Sequence, residues 1–278
     1  MKLGDLEFHI LTDGRFRLDG GAMFGVIPRP MWERVAPPDG RNRIVLAMNS
    51  LLVYAGGKRI LVETGSGDKW DAKRREIYAF EGRSLLEQLA DRGLEPGQID
   101  LVVNTHLHFD HCGWNTRIEN GHAVPTFPRA RYIVQRGELE HARRPTERDR
   151  ASYFPENFEP MEFSGQWWLL DSDCEIAPGV ELIRVPGHTA DMMCVRLSGG
   201  EETALFLADL VPTRAHLGLP WIMGFDSYPL TTLENKKKWL GEIVRNDWLA
   251  LFGHDAEAPA ARLVETSGKL TAEPVVVD

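Results

Sequence analysis

A dense group of metal-binding residue types follows the first third of the chain. Three imidazoles and one carboxylate fall within six consecutive positions, at His106, His108, Asp110 and His111. Imidazole and carboxylate groups are the ligands that zinc and related divalent cations take in proteins. The spacing lets His106 and His108 reach one cation, while Asp110 and His111 point toward a second. A polar loop with ordinary histidines is the alternative, and four ligand-type residues in this pattern make it the weaker one.

Three further ligand-type residues end or follow apolar stretches downstream. His188 lies in the tetrapeptide Pro-Gly-His-Thr, and Asp209 and His254 each end a run of mainly apolar residues. Apolar runs of this length are typical of buried strands. Sites in layered α/β proteins usually lie at the carboxyl ends of strands. The sequence therefore predicts that four separate segments bring their ligand-type side chains to one edge of the fold.

The apolar patterns also predict the strands that must position these residues. Alternation predicts a strand over residues 6–12, and two more strands are predicted over 48–54 and 59–62. Gly56 and Gly57 between the last two indicate a hairpin. The apolar run 101–103 directly precedes the histidine motif, so it is interpreted as the strand that delivers it.

Two helices are predicted from capping and periodicity. Ser84 and Glu87 form a capping box at the start of a helix over residues 84–92. A second helix is predicted over residues 232–245 from the spacing of its apolar positions. The lysine run 236–238 inside it is interpreted as a solvated face.

The four ordered segments together resemble the metallo-β-lactamase superfamily of hydrolases, over nearly the whole chain. The resemblance implies an α/β fold, a four-layer αββα sandwich. It implies two divalent cations, zinc before iron, manganese or cobalt, because histidine and carboxylate ligands accept all four. The implied ligands are His106, His108 and His188 for the first cation, Asp110, His111 and His254 for the second, and Asp209 as a bridge between them.

The catalytic roles follow from the same resemblance. A water or hydroxide bridging the two cations is the implied nucleophile, since cations lower the pKa of bound water toward neutrality. Direct hydrolysis without an acyl-enzyme is therefore expected, with Asp110 carrying a proton to the leaving group. Tyr228 is a second catalytic candidate, as a hydrogen-bond donor to the carbonyl or the departing alkoxide. Glu63 stands where the family usually has Asp and is expected to orient the centre from outside the ligand set.

Several features narrow the substrate class within the superfamily. True β-lactamases of this fold lack the bridging Asp, whereas Asp209 is present. Glyoxalase II enzymes carry a C-terminal helical region that grips glutathione, and only 24 residues follow His254. Nuclease members carry large inserted domains. The remaining resemblance is to quorum-quenching lactonases, with methyl-parathion-hydrolase-like enzymes close by.

That resemblance implies a hydrolase that opens lactones of the N-acyl homoserine type. The alternative enzyme hypothesis is an organophosphate triester or aryl-ester hydrolase on the same centre. A metal-binding protein of this fold without catalysis, serving as a sensor or interaction module, is the alternative of a different class.

A small apolar ester or lactone requires an apolar pocket beside the cations. Two regions are expected to wall it, the N-terminal loop 20–40 and the middle insertion 114–170. The first is irregular and rich in glycine, proline and exposed-looking apolar residues. Packing of that loop on its own domain is the alternative. The candidate pocket residues are Phe24, Trp32, His216, Trp221 and Phe225.

Composition and charge indicate the number of domains, the partners and the cellular location to expect. The 278 residues, 43% hydrophobic and 26% charged, are expected to form one domain over 1–278. The formal net charge of −9 repels phosphate backbones, so no nucleic-acid partner is expected. No apolar run approaches the ~20 residues that span a bilayer. No signal-peptide pattern starts the chain, so we expect no membrane partner and a cytoplasmic location.

Cysteine usage agrees with a reducing compartment. The chain has three cysteines in no regular pattern, Cys112, Cys174 and Cys194. Cys112 follows His111 and is interpreted as a buried structural thiol. The apolar residues of the N-terminal loop are compatible with a homodimer, and a monomer is the alternative.

Overall fold

The computed structural model describes residues 1–277, which form two seven-stranded sheets and one two-stranded sheet. The strands are β1 Lys2–Leu3, β2 Leu6–Asp19, β3 Arg43–Ala55, β4 Lys58–Val62, β5 Leu101–Val103, β6 Thr116–Glu119, β7 His122–Pro125, β8 Arg131–Gln135, β9 Trp167–Leu170, β10 Cys174–Ala177, β11 Val180–Arg184, β12 Met193–Gly199, β13 Glu202–Phe206, β14 Leu249–Leu251, β15 Ala260–Thr266 and β16 Lys269–Pro274. The α-helices are α1 Gly20–Phe24, α2 Arg29–Trp32, α3 Ala72–Tyr78, α4 Leu85–Asp91, α5 Phe109–Cys112, α6 Arg136–Arg143, α7 Glu159–Phe163 and α8 Pro229–Arg245.

Each large sheet combines antiparallel neighbours with a parallel pair. The first runs in the order β1-β2-β3-β4-β5-β8-β9, and the second runs from β10 to β16 in sequence order. In the first sheet β4 pairs with β5 in parallel, and in the second β13 pairs with β14 in parallel. Parallel neighbours end at the same edge of a sheet, so the segments after these four strands emerge together.

Alternation along the strands separates the layers. Leu51 and Val53 of β3 point inward and share one hydrophobic cluster with Leu182 and Val195 of the second sheet. Leu52, between them, points outward into a cluster formed with residues of α4 and α6. Helix α8 packs on the far side, against β15. The four-layer αββα sandwich expected from the sequence is therefore confirmed.

The predicted hairpin and capping box are both present. Gly56 and Gly57 adopt left-handed φ values of 55° and 74° at the turn between β3 and β4. The Ser84 side chain accepts a hydrogen bond from Glu87 N, and the Glu87 carboxylate accepts one from Ser84 N. Strand β2 extends beyond the predicted 6–12, because a bulge between Thr12 and Arg15 lets its pairing with β3 resume.

The N-terminal segment 20–40 is more ordered than its composition predicts. It forms α1 and α2, whose rings are buried in a third hydrophobic cluster with residues of β2 and β3. A Cβ at Gly20 would lie 2.4 Å from the Trp32 ring, so the absence of a side chain there permits this packing. Phe24 and Trp32 are fully buried, whereas Met31 is half exposed.

Helix α8 contains one buried lysine. Lys236 is fully buried, and its Nζ donates hydrogen bonds to the carbonyl oxygens of His216, Gly218 and Trp221 at 2.7–2.8 Å. The prediction of a solvated lysine run is therefore wrong at Lys236, because the helix turns this position toward the 216–221 loop. None of the helices formed by residues 1–277 is long and apolar enough to cross a membrane.

Candidate metal centre

The histidine motif occupies the turn between β5 and the short helix α5. His106 and His108 precede the helix, and Asp110 and His111 lie inside it. All four are buried, at 0–9% exposure. The Asn104 side chain donates a hydrogen bond to the carbonyl oxygen of His111, which fixes the turn against the end of β5. The motif is thus presented by a rigid loop rather than by a mobile surface segment.

The other three expected ligands arrive from the second sheet. His188 follows β11, Asp209 follows β13 and His254 follows β14. Gly187, at φ 151°, lies against Thr232 so closely that a Cβ would meet its Oγ1 at 2.4 Å. Ala208 has a left-handed φ of 45°, a sparsely populated conformation for a residue with a side chain. This backbone geometry directs Asp209 toward the histidine motif.

The donor atoms form three sets of three, each with its atoms within 4.8 Å of one another. Two of them are the expected groups, His106 with His108 and His188, and Asp110 with His111 and His254. The third set, Glu63 with His106 and His111, overlaps both groups.

Asp209 lies between the two groups. Its Oδ2 is 3.2 Å from His188 Nε2, and its Oδ1 is 3.0 Å from His254 Nε2. One carboxylate therefore contacts both groups, as a bridging ligand must.

The chemistry of these atoms fits bound cations. His188 Nε2 lies 3.0 Å from His108 Nδ1, and His254 Nε2 lies 3.2 Å from His111 Nε2. His106 Nε2 is buried and makes no hydrogen bond. Buried polar atoms normally have hydrogen-bond partners. Buried imidazole nitrogens that converge on one point and lack such partners are typical of a metal site.

Burial and charge interactions shift the pKa values of the ligands in both directions. Burial, with neighbouring imidazoles, lowers the pKa of His106 and His108 well below the usual histidine value. Burial alone would raise the pKa of Asp209, but the surrounding imidazoles outweigh it and hold that pKa well below its usual range. For His111, His188 and His254 burial alone would lower the pKa, but the charge of Asp209 outweighs it and raises the pKa. Metal binds neutral imidazoles and an ionised carboxylate, so a bound cation would displace any proton held by these three histidines.

A second layer of contacts orients the histidines. His188 Nδ1 lies 2.9 Å from Asp226 Oδ1, and His254 Nδ1 lies 2.8 Å from the carbonyl oxygen of Ala47. In each contact the oxygen accepts a hydrogen bond from Nδ1, which leaves Nε2 directed at the centre. The contact between Asp226 and His188 was not predicted from the sequence, because the two residues are 38 positions apart.

Glu63 lies beside one histidine of each group, His106 and His111. Its Oε1 accepts hydrogen bonds from the backbone N and the hydroxyl of Thr105 and lies 3.4 Å from His111 Nδ1. Its Oε2 is buried without a hydrogen-bond partner. Glu63 also has a left-handed φ of 63°, a backbone strain of the kind found at functional sites.

A cavity of about 230 Å³ opens over the centre. His108, Asp110, His188, Asp209 and His254 form its floor. Its apolar wall consists of Leu18, Met23, Leu46, Phe109, Met223 and Phe225. Its polar groups include Tyr78, Arg148 and Ser152. Both the N-terminal segment and the middle region therefore contribute to the wall.

Four of the five expected pocket residues lie behind this wall. Phe24 stacks between His216 and Trp32, at ring distances of 4.6 and 5.4 Å, and Trp221 packs edge-on against it. The His216 ring is held by Thr213 Oγ1 and the carbonyl oxygen of Met23. These rings pack against one another inside the fold. Of the five expected pocket residues, only Phe225 lines the cavity.

The tyrosine that lines the cavity is not the expected Tyr228. Tyr228 is half exposed at the start of α8 and does not line the cavity, because its backbone N bonds the carbonyl oxygen of Gly187 and directs the chain into the helix. Tyr78, at the end of α3, lines the cavity instead. Burial, with the charge of Asp110, raises the pKa of the Tyr78 phenol. No local pattern marks Tyr78, since α3 reaches the site only through tertiary packing.

Comparison with known proteins agrees with this architecture. Two facing sheets with an imidazole and carboxylate centre at their edge define a metal-site protein of the αββα type. Residues 43–261 match the metallo-β-lactamase superfamily, and the chain belongs to that superfamily. The family resemblance inferred from the motif is thereby confirmed.

Individual relatives carry more specific names. An N-acyl homoserine lactonase from a Bacillus species is 29% identical over 168 residues, which cover 59% of this chain and 59% of that protein. The aligned part thus spans less than two thirds of the relative. A probable metal-dependent hydrolase from Staphylococcus aureus superposes with a TM-score of 0.91 at 28% identity, covering 100% and 99% of the two chains. AidC, a dizinc quorum-quenching lactonase, superposes with a TM-score of 0.83 at 21% identity over 100% and 97%, a likeness in fold.

Proposed function

We propose that this protein is a binuclear metal-dependent hydrolase that opens lactones of the N-acyl homoserine type. The observation that carries the proposal is the pair of three-donor groups, joined by Asp209, on the floor of a largely apolar cavity. The lactonase name of the Bacillus relative supports the substrate class.

The residues that would hold the cations are those expected from the sequence. His106, His108 and His188 would hold one, Asp110, His111 and His254 the other, and Asp209 would contact both. Zinc is the favoured ion, because tetrahedral sites of nitrogen and oxygen donors are its usual environment. When bound, such cations supply a water of lowered pKa and polarise an ester carbonyl.

Asp110 is placed to move the proton of the reaction. Its carboxylate lies on the cavity floor, with Oδ2 3.8 Å from His254 Nε2 and 3.9 Å from His111 Nε2. In the proposed reaction a water oxygen bonds the acyl carbon and the ring C–O bond breaks. Asp110 accepts the proton of that water and donates it to the departing alkoxide. The product is the open hydroxy acid.

The cavity wall suits a neutral substrate with one apolar arm. Four of its lining residues offer apolar surface to an acyl chain, namely Leu18, Leu46, Met223 and Phe225. The Tyr78 hydroxyl is a donor for a substrate carbonyl, the role first considered for Tyr228.

A hydrolysis panel on metal-quantified protein tests the proposal. The panel holds short- and long-chain homoserine lactones, plain lactones, an aryl ester and a phosphotriester, followed in a pH-stat. We expect about two metal ions per chain and fastest turnover on homoserine lactones. The Asp209→Ala variant is the control against a contaminating hydrolase and should lose turnover on every substrate. Preference for the phosphotriester or aryl ester would overturn the substrate class and favour the alternative enzyme hypothesis. Full metal occupancy with no turnover would overturn catalysis.

A further inference from the structure

Helix α6 carries a buried carboxylate that belongs to none of the ligand segments. Glu138 is 1% exposed, and its three hydrogen-bond donors are all uncharged. Its Oε1 accepts from Leu107 N at 3.0 Å and from the Tyr153 hydroxyl at 3.1 Å, and its Oε2 accepts from Thr189 Oγ1 at 2.7 Å. A buried carboxylate is unfavourable unless several hydrogen bonds offset its desolvation, so this arrangement needs a function.

Two of those donors adjoin proposed metal ligands on different sheets. Leu107 lies between His106 and His108 in the loop after β5 of the first sheet. Thr189 directly follows His188 in the loop after β11 of the second sheet. One side chain therefore joins the two loops that supply all three donors of the first group.

The third donor reaches the same group through a ring. The Tyr153 ring packs edge-on against His108 at 4.7 Å, and its hydroxyl is held by Glu138. Helix α6 also lies against the segment after His188, since a Cβ at Gly137 would lie 2.2 Å from the Asp191 side-chain oxygen Oδ2.

We propose that Glu138 is a positioning residue that sets the distance between the His106–His108 loop and His188, and so sets the metal affinity of that group. Glu138 does not line the cavity. The inference rests on the ligand assignment of the proposed function but not on the lactone substrate.

Two substitutions at Glu138 distinguish the effect of its hydrogen bonds from the effect of its charge. In Glu138→Gln the amide oxygen accepts from Leu107 N and Tyr153, and the amide nitrogen donates to the Thr189 hydroxyl. The connection between the loops is kept while the charge is lost. Glu138→Ala removes the connection. Leu139→Ala is the matched control, because Leu139 is a buried core residue of the same helix that contacts neither loop through a hydrogen bond.

The experiment titrates apo-protein with zinc against a chromophoric chelator and records the cobalt(II) absorption spectrum. We expect Glu138→Ala to weaken zinc binding about 10- to 100-fold and to alter the cobalt spectrum, the usual effect of removing an outer contact. Glu138→Gln should stay close to the native affinity, and Leu139→Ala should lose thermal stability without losing affinity. If Glu138→Ala does not fold, Thr189→Val removes one donor alone and should weaken binding by a smaller factor.

The outcomes distinguish this inference from the proposed function. Native zinc affinity in Glu138→Ala or Thr189→Val, or an equal loss in Leu139→Ala, overturns the positioning role. An equal loss in Glu138→Gln also overturns it, since charge alone would then be responsible. A wild-type protein that binds zinc but opens no lactone refutes the substrate class and leaves the affinity comparison valid. A wild-type protein that binds no zinc refutes both.

Discussion

The carboxylate of Asp226 connects His188 to helix α8. Its Oδ1 lies 2.9 Å from His188 Nδ1, and its Oδ2 accepts a hydrogen bond from Thr232 Oγ1 at 2.6 Å. All three side chains are buried. The orientation of one proposed ligand is thus set by the first turns of a helix in the outer layer of the second sheet.

Removing this carboxylate should weaken metal binding. We expect Asp226→Ala to lower zinc affinity about 10- to 100-fold, because His188 loses the acceptor that fixes its ring. Asp226→Asn should lose less, since an amide oxygen still accepts from Nδ1 and the amide nitrogen donates to Thr232. Zinc titration measures both, with the exposed Asp171→Ala as control. Unchanged affinity in Asp226→Ala would show that the ring is held by other contacts.

Asp110 should matter more for turnover than for folding. We expect Asp110→Asn to lower kcat by about 10²- to 10⁴-fold, because an amide cannot accept and return the proton. Its melting temperature should stay near that of the wild type. Kinetics are measured on protein whose metal content equals the wild type. Retained turnover in such a fully metallated variant would contradict the proton-transfer role.

Asp13 should make stability depend on pH. It is buried and accepts hydrogen bonds from Leu85 N and Trp114 Nε1 through Oδ1, and from Ser66 N and Gly67 N through Oδ2. Burial outweighs these donors and raises the pKa of the carboxyl from 3.8 to about 6.

The sign of that dependence follows from proton binding. Between pH 3.8 and about 6 the folded state holds a proton that the unfolded chain has released, so stability falls as pH rises through this window. A shift of this size corresponds to about 3 kcal/mol. The difference between wild-type and Asp13→Asn unfolding free energies, measured by urea on apo-protein, should carry this slope.

Asp13→Asn should also change the unfolding free energy at neutral pH. Its amide NH₂ would face two N–H donors, so it should be less stable than the wild type at neutral pH by about 1–3 kcal/mol. A difference that stays constant from pH 4 to 7 would mean that Asp13 does not titrate in this window.

Lys236 should stabilise the loop that leads to the cavity wall. Lys236→Met leaves the carbonyl oxygens of His216, Gly218 and Trp221 without their buried donor. We expect a loss of about 3 kcal/mol in unfolding free energy and a rise in KM, because the same loop continues into Met223 and Phe225. Lys237→Met is the matched control: its exposed ion pair with Glu234 contributes little. Equal effects of both substitutions would reject the anchoring role.

The sequence predicted what local patterns determine. Each metal-site segment combines an apolar strand with a ligand-type residue at its end, and the Ser84–Glu87 capping box is contained within four residues. Such signals need no knowledge of distant contacts. The convergence of the segments was predictable because the carboxyl ends of parallel strands lie at one edge of a sheet.

The cavity wall was not predictable in the same way. Phe24 and Trp32 lie in a segment without periodicity, so nothing local shows that their rings stack inward on His216. Tyr78 and Arg148 reach the cavity from parts of the chain remote from every ligand. Lys236 shares the buried side of α8 with Thr232, Trp239 and Leu240, so helical periodicity places it inward although its amino group favours solvent.

The repeated parallel pairing of the sheets has a consequence for Glu63. Strands β2 to β5 and strands β11 to β14 show the same succession of two antiparallel pairs and one parallel pair. In each, the third strand is followed by a left-handed residue, Glu63 or Ala208, and by a carboxylate at or just after it. The two sheets thus repeat one strand topology. Glu63 occupies in the first sheet a position equivalent to that of Asp209 in the second, just after the end of the third strand of the repeat.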